Sequence, residues 1–142
     1  MPSFARALIG ALILLAGHAA MPGAQLRADE ISGAATYRER IALPPGAVLE
    51  AALVALENGR AAGPPLGLVR VEAGAGPPVP FVISYDGDAL RRDAAHGLTV
   101  RVLVDERVLF ATSAPVPVDL AGGGDPIELL MPMRPPSRAA AP

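Results

Sequence analysis

The chain has 142 residues, with 12 basic and 14 acidic side chains, a formal net charge of −2 and an apolar fraction of 51%. This slight acidity leaves no footprint for nucleic acid or for an anionic membrane surface. There is no cysteine, which excludes disulfides, thiolate metal sites, a cysteine nucleophile and a lipid-carrying N-terminal cysteine. With three Phe, two Tyr and no Trp, the core must be built from Val, Leu, Ile and Ala.

The N-terminus reads as an address. Arg6 is the one positive charge ahead of the uncharged apolar run Ala7–Gly17, and the small residues Ala19 and Ala20 follow. A basic head, an apolar core of about 7–15 residues and a small-residue exit describe a secretory signal peptide. A membrane span needs about 20 apolar residues, and this run is shorter. Residues 1–19 are therefore expected to form a signal-peptide helix, with cleavage sites possible up to Ala28. The alternative is an uncleaved N-terminal helix that anchors the chain in the inner membrane. Residues 20–30 read as a flexible linker.

"ISGAATY" (Ile31–Tyr37) alternates, placing Ile31, Gly33, Ala35 and Tyr37 on one face and Ser32, Ala34, Thr36 on the other. That period of two predicts a strand, and "RER" is expected to extend it along a solvent-exposed rim. "ALPPGA" (Ala42–Ala47) breaks it, because Pro44 and Pro45 lack ladder donors and Gly46 supplies a turn. "VLEAALVALE" (Val48–Glu57) admits a helix through Leu49, Leu53 and Leu56. The strand reading, with Leu49, Ala51 and Leu53 on one face, suits the surrounding punctuation better.

"ENGRAAGPP" (Glu57–Pro65) reads as a turn-rich connection containing the hairpin dipeptide Asn58-Gly59. Short strands follow at "LGLVRVEA", with Val69 and Val71 opposed to Arg70 and Glu72, and at "VPFVISY", with Phe81, Ile83 and Tyr85 opposed to Val82 and Ser84. Asp86–Gly97 is polar and turn-like, with one helical turn. "LTVRVLVDE" places Val100, Val102 and Val104 inward and Arg101 outward, and "RVLFATSA" is its hairpin partner. "PIELLMPM" (Pro126–Met133) closes the set, and residues 134–142 have the composition of a disordered tail. About seven short, mostly antiparallel strands with Gly/Pro punctuation predict an all-β fold, a single β-sandwich over residues 31–133.

Candidate chemistry is sparse. Asp86 and Asp88, with Asp93 and His96 nearby, have only a fragment of the spacing of a calcium loop, and capping of turns by Asp accounts for them. Ser84, His96 and Asp93 have the types of a triad but lack a nucleophile elbow. Arg91-Arg92 has few basic neighbours to build an anion site. Gly122–Gly124 lacks the Lys and helix of a phosphate loop. No catalytic residue, no metal ligand and no cofactor is expected.

From Ile31 to Met133 the sequence resembles the YbaY/YscW family of small envelope lipoproteins. The specific part is "YRERIALPPGA", within a G-x-x-x-Y-R-E-R-x-A-L-P-P-x-A motif that here starts at Gly33; "VPFVISYD", "HGLTVRVLVDERVLFAT" and "IELLM" are similar in kind and order. The resemblance implies a small β-sandwich on the periplasmic side of a Gram-negative envelope. It also implies, in the YscW branch, a pilotin, a chaperone that escorts a secretin to the outer membrane. Those relatives carry a lipobox cysteine and this chain has none, so no lipid anchor is expected. Three function classes follow: a protein-binding chaperone or assembly factor of the envelope, a periplasmic small-ligand or glycan-binding module, and an enzyme. The first is preferred, with an outer-membrane or secretion-system protein as partner and recruitment of a peptide at an exposed strand edge as one mechanism.

Overall fold

The computed structural model describes residues 28–122 and 125–138. The expected signal peptide, residues 20–27 of the expected linker and residues 139–142 lie outside them. Among the described residues nine strands form two sheets that enclose one core. They are β1 (Ala28–Thr36), β2 (Val48–Glu57), β3 (Arg60–Glu72), β4 (Val79–Asp86), β5 (Ala95–Val104), β6 (Arg107–Ala111), β7 (Val116–Val118), β8 (Ile127–Leu130) and β9 (Met133–Arg138). The small sheet has the order β4-β1-β8. The large sheet has the order β3-β2-β5-β6-β9, and β7 also pairs with β5. The fold is the all-β sandwich that the strand pattern predicts.

The alternation read from the sequence is the alternation seen. Gly33, Ala35 and Tyr37 face the core from the small sheet, as do Val79, Phe81, Ile83 and Tyr85. Leu49, Ala51 and Leu53 face them from β2, and Leu98, Val100 and Val102 from β5. Gly33 is required. A Cβ there would lie 2.6 Å from the Phe81 ring and 2.6 Å from the Ile127 carbonyl oxygen, because Gly33 stands opposite both residues in its two strand pairings.

Several expected boundaries move, each for a local reason. β1 starts at Ala28, inside the expected linker, because Ala28–Glu30 pair with Ser84–Asp86. It ends at Thr36, so Arg38-Glu39-Arg40 leaves the sheet instead of extending it. There the Tyr37 hydroxyl donates to the Ile41 carbonyl at 2.9 Å, folding the chain back on itself. β3 starts at Arg60 and absorbs most of the connection expected to be turn. Asn58-Gly59 makes a two-residue hairpin turn with φ of 52° and 75°, and Gly63-Pro64-Pro65 bulges out between the Leu53–Gly67 and Ala55–Ala62 pairs. Bulges are where a strand tolerates proline.

The C-terminal region differs most. The single strand expected over Pro126–Met133 is two strands in different sheets. β8 runs parallel to β1. The buried Met131 then donates its N–H to the Thr36 carbonyl at 2.8 Å, and the Pro132 carbonyl accepts from Ala111 at 3.3 Å, so the chain crosses here from the small sheet to the large one. The expected tail, as far as Arg138, is β9, paired with β6. Its prolines sit at the sheet edge opposite an irregular register, a place where missing donors do little harm.

The Tyr37 ring stacks on Phe110 of β6 with centroids 4.3 Å apart and planes inclined by 15°, tying the end of the small sheet to the large one. Tyr37→Ala should therefore destabilise by about 3–5 kcal/mol, Tyr37→Phe by about 0.5–1.5 kcal/mol through the lost hydrogen bond, and Arg38→Ala by no more than roughly 0.5 kcal/mol. Burial, helped by the nearby Glu39 carboxylate, raises the Tyr37 pKa above its usual 10.0. A raised pKa in the folded state means stability is intact below about pH 10 and falls as pH rises beyond it. Denaturant melts at neutral and alkaline pH should show that loss reduced in Tyr37→Phe.

Candidate functional site

The outer face of the large sheet carries a groove of about 600 Å³. Its floor is the outward side of the two central strands. On β2 the residues between the inward-facing ones are Ala52, Val54 and Leu56, which form a second buried apolar cluster. Opposite them on β5 stand Thr99, Gly97 and Ala95. Of these, Ala52, Val54 and Thr99 line the groove, so its floor is mostly apolar and its side chains are short.

Two walls rise beside it. On one side Leu68 of β3, opposite Ala52, is 53% exposed, with Ala61 and Pro65 of the β2–β3 hairpin beyond it. On the other side Ser113-Ala114-Pro115 bulges out between β6 and β7. Thr112 still pairs with Val100 through its N–H at 3.0 Å and Val116 with Leu98. Pro115 and Leu56 close over Gly97, each with an atom 3.1 Å from where its Cβ would be.

A row of charges closes one end. Glu50 of β2 lies directly opposite Arg70 of β3 and Arg101 of β5. Its carboxylate takes the Arg70 Nε at 3.3 Å and the Arg101 guanidinium at 2.6 Å, and Arg70 also reaches Glu106 at 3.5 Å. The Glu50 side chain is only 15% exposed, so one acid organises both arginines with limited solvent screening. Arg60 stands at the opposite end and forms no ion pair among the described residues. A second cavity of about 290 Å³ lies beside β1 and is lined by Glu30, Ser32, Tyr85, Asp119 and Asp125 among others.

The residues weighed for chemistry are dispersed. Asp86 accepts the Asp88 N–H at 3.0 Å and caps the short 3-10 turn Gly87–Ala89, which is the turn-capping role expected of it. Asp93 takes the Arg91 guanidinium at 3.2 Å, and that hydrogen bond holds its carboxyl below the usual range. Arg91 is thereby occupied by a neighbour and is no open anion site. Ser84 lies on the small sheet and His96 on the large one. Gly122 follows β7 in a loop, and Gly123 and Gly124 lie outside the described residues. Among the described residues no three His, Asp or Glu side chains are placed to hold one metal ion.

The groove residues were not singled out in the sequence, although a signal was present. "VLEAALVALE" is apolar on both faces, which looks like indecision between helix and strand. It marks a central strand whose outer face is also covered.

Residues 26–131 match the model of the YscW family, described as a type III secretion system lipoprotein chaperone. The chain belongs to the YscW family. A solved structure of an alternative pilotin from the type II secretion system of Vibrio cholerae is similar, with a TM-score of 0.63 and 26% identity over 74% of this chain and 97% of that one. No curated protein matches the sequence. Family and structural neighbour together point to a pilotin-like, secretion-related, non-enzymatic role. No helix among the described residues is long and apolar enough to cross a membrane.

The acidic loop gives a direct test. Asp86 is spent on a turn cap and Asp93 on an arginine, which leaves the Asp88 carboxylate too few partners for a cation site, so millimolar calcium, zinc or manganese should leave the melting temperature unchanged. Binding at a hundredfold excess over Kd would add about 2.7 kcal/mol of stability. A rise that disappears in Asp86→Asn and Asp88→Asn would establish a metal site.

Proposed function

We propose that the protein is an exported, pilotin-like chaperone that holds a helical segment of an outer-membrane or secretion-system protein in the groove of its large sheet. The observation that carries this reading is the floor. β2 is paired with β3 and β5, and β5 with β2 on one side and β6 and β7 on the other. Their backbone donors and acceptors are already in use. An extended peptide laid there would leave its own N–H and C=O groups unpaired, whereas a helix arrives with its backbone satisfied.

The dimensions agree. Four strands at ordinary spacing set β3 and β6 about 14 Å apart, wide enough for a helix of about 10–12 Å diameter. The apolar floor matches an amphipathic helix, and Arg60, which forms no ion pair among the described residues, matches an acidic residue on its flank.

Strand recruitment at a sheet edge is the weaker mechanism here. The edge of β3 is broken by its Gly-Pro-Pro bulge, β9 contains Pro135 and Pro136, and β8 has four residues. The edge of β4 is covered by β3, where a Cβ on Gly67 would lie 2.8 Å from the Ser84 carbonyl oxygen. These are the devices that blunt edges. A glycan in the groove would lack a stacking platform, since no aromatic side chain among the described residues lines it.

Affinity purification of the full chain from cross-linked cells should recover an outer-membrane component of a secretion system. Leu68→Arg alters an exposed side chain and should lose that component without a change in melting temperature; Ala52→Phe, which fills the floor from a buried position, should lose it as well, with a lower melting temperature. Undiminished capture by both variants would sink the groove reading. Export has its own measurement: intact-mass analysis of periplasmic material should find a chain that begins between Ala20 and Asp29, and a full-length protein in the inner membrane would contradict cleavage.

A further inference from the structure

Five large apolar side chains are more than two-fifths exposed among the described residues: Ile41, Leu68, Val82, Leu130 and Met133. Leu68 belongs to the groove. Ile41, Leu130 and Met133 stand on two segments that are hydrogen-bonded to each other at one end of the sandwich. Leu130 lies opposite Thr36 in the β1–β8 pair, and the next residue donates to the Thr36 carbonyl at 2.8 Å. The Met133 N–H donates to Glu39 at 3.4 Å. The Tyr37 hydroxyl fixes the Ile41 carbonyl of the same loop.

Arginine outnumbers acid around these residues. Arg38 and Arg40 are exposed and form no ion pair among the described residues. Between them Glu39 is half-buried; one carboxylate oxygen accepts from Met133, and the other is buried without a partner. Arg134 lies on the adjoining strand and donates to the Thr112 carbonyl at 3.1 Å. Glu128 is the nearby exposed acid of β8. With Glu39 turned inward, arginine is in excess at this end of a chain whose net charge is −2.

We infer that this end of the sandwich docks on an anionic lipid surface, with Ile41, Leu130 and Met133 entering the headgroup layer and Arg38 and Arg40 meeting lipid phosphates. Guanidinium groups pair with phosphate in two-point contacts, and apolar side chains beside basic ones are the chemistry of interfacial binding. The net acidity of the whole chain does not oppose this. It repels the other faces from an anionic membrane and so selects the end-on orientation. A second copy of the chain is a poor occupant, because it would bring Arg38 and Arg40 against their own counterparts. Neither of the two cavities described above reaches these residues. Two arginines and three modest apolar side chains make the contact weak and reversible, orienting the groove relative to the membrane without anchoring the chain.

The chain holds no tryptophan, so Ile41→Trp provides a single reporter in the exported protein recovered from the periplasm. Vesicles of equal parts phosphatidylglycerol and phosphatidylethanolamine should shift its emission to the blue, and brominated acyl chains should quench it. Both effects should vanish in high salt and in phosphatidylcholine vesicles. Adding Arg38→Glu and Arg40→Glu should weaken vesicle association by roughly tenfold or more. Leu68→Trp, in the groove, should not respond to vesicles. The proposal is overturned by an Ile41→Trp spectrum that anionic vesicles leave unmoved, that neutral vesicles shift equally, or that the arginine reversals leave intact. A shift seen only with outer-membrane protein extract would make this end a protein contact and overturn it too. Partner capture in the groove is read separately through Leu68, so either reading can fail without the other.

Discussion

The stack of Tyr37 on Phe110 is the contact on which the rest of this sandwich depends. It joins the residue that follows β1 of the small sheet to β6 in the large sheet, in a protein with five aromatic side chains. Because the ring is only 5% exposed and its hydroxyl is used by Ile41, the chain must leave the sheet at Tyr37. Leu43 is then buried, its N–H bonded to the Ala75 carbonyl at 3.1 Å, and the double proline lies at the turn into β2. The "YRERIALPPG" motif is in this sense a corner held by one aromatic residue.

The large sheet works on both faces. Its inner face supplies Leu49, Leu53, Leu98, Val100 and Val102 to the core, while the outer face of β2 is covered by the bulge before β7 and by β3. A sheet with one solvated face normally alternates cleanly between apolar and polar. Departure from that alternation at Ala52, Val54 and Leu56 is what leaves a shallow apolar groove over a saturated backbone. The proposed chaperone role rests on this groove through simple chemistry: an apolar helix face needs cover, and an apolar floor would provide it.

Two half-buried acids set the disposition of the arginines. Glu50 gathers Arg70 and Arg101 into a row across three strands. Glu39 turns inward and leaves Arg38 and Arg40 unpaired among the described residues. The same pairing chemistry thus neutralises one arginine cluster beside the groove and leaves another open at the end of the sandwich. Net charge, summed over the chain, contains neither fact.

Local sequence determined the strands whose side chains alternate strictly, the Asn58-Gly59 hairpin and the turn at Pro45-Gly46 into β2, because period-two burial and turn chemistry act within a few residues; the end of β1 at Thr36, well before the prolines expected to break it, was not among them. It also determined the absence of disulfide and thiolate chemistry, since those need cysteine. Tertiary structure alone decided that "PIELLMPM" crosses between sheets at Met131, that a Pro-containing segment joins an edge as β9, and that β2 is buried on two sides. Each of these depends on hydrogen-bond partners far away in the chain, such as Thr36 for Met131 and Ala111 for Pro132. The groove belongs to the same class: Leu68, Ala52, Thr99 and Pro115 become neighbours only when strand register and a bulge place them on one surface.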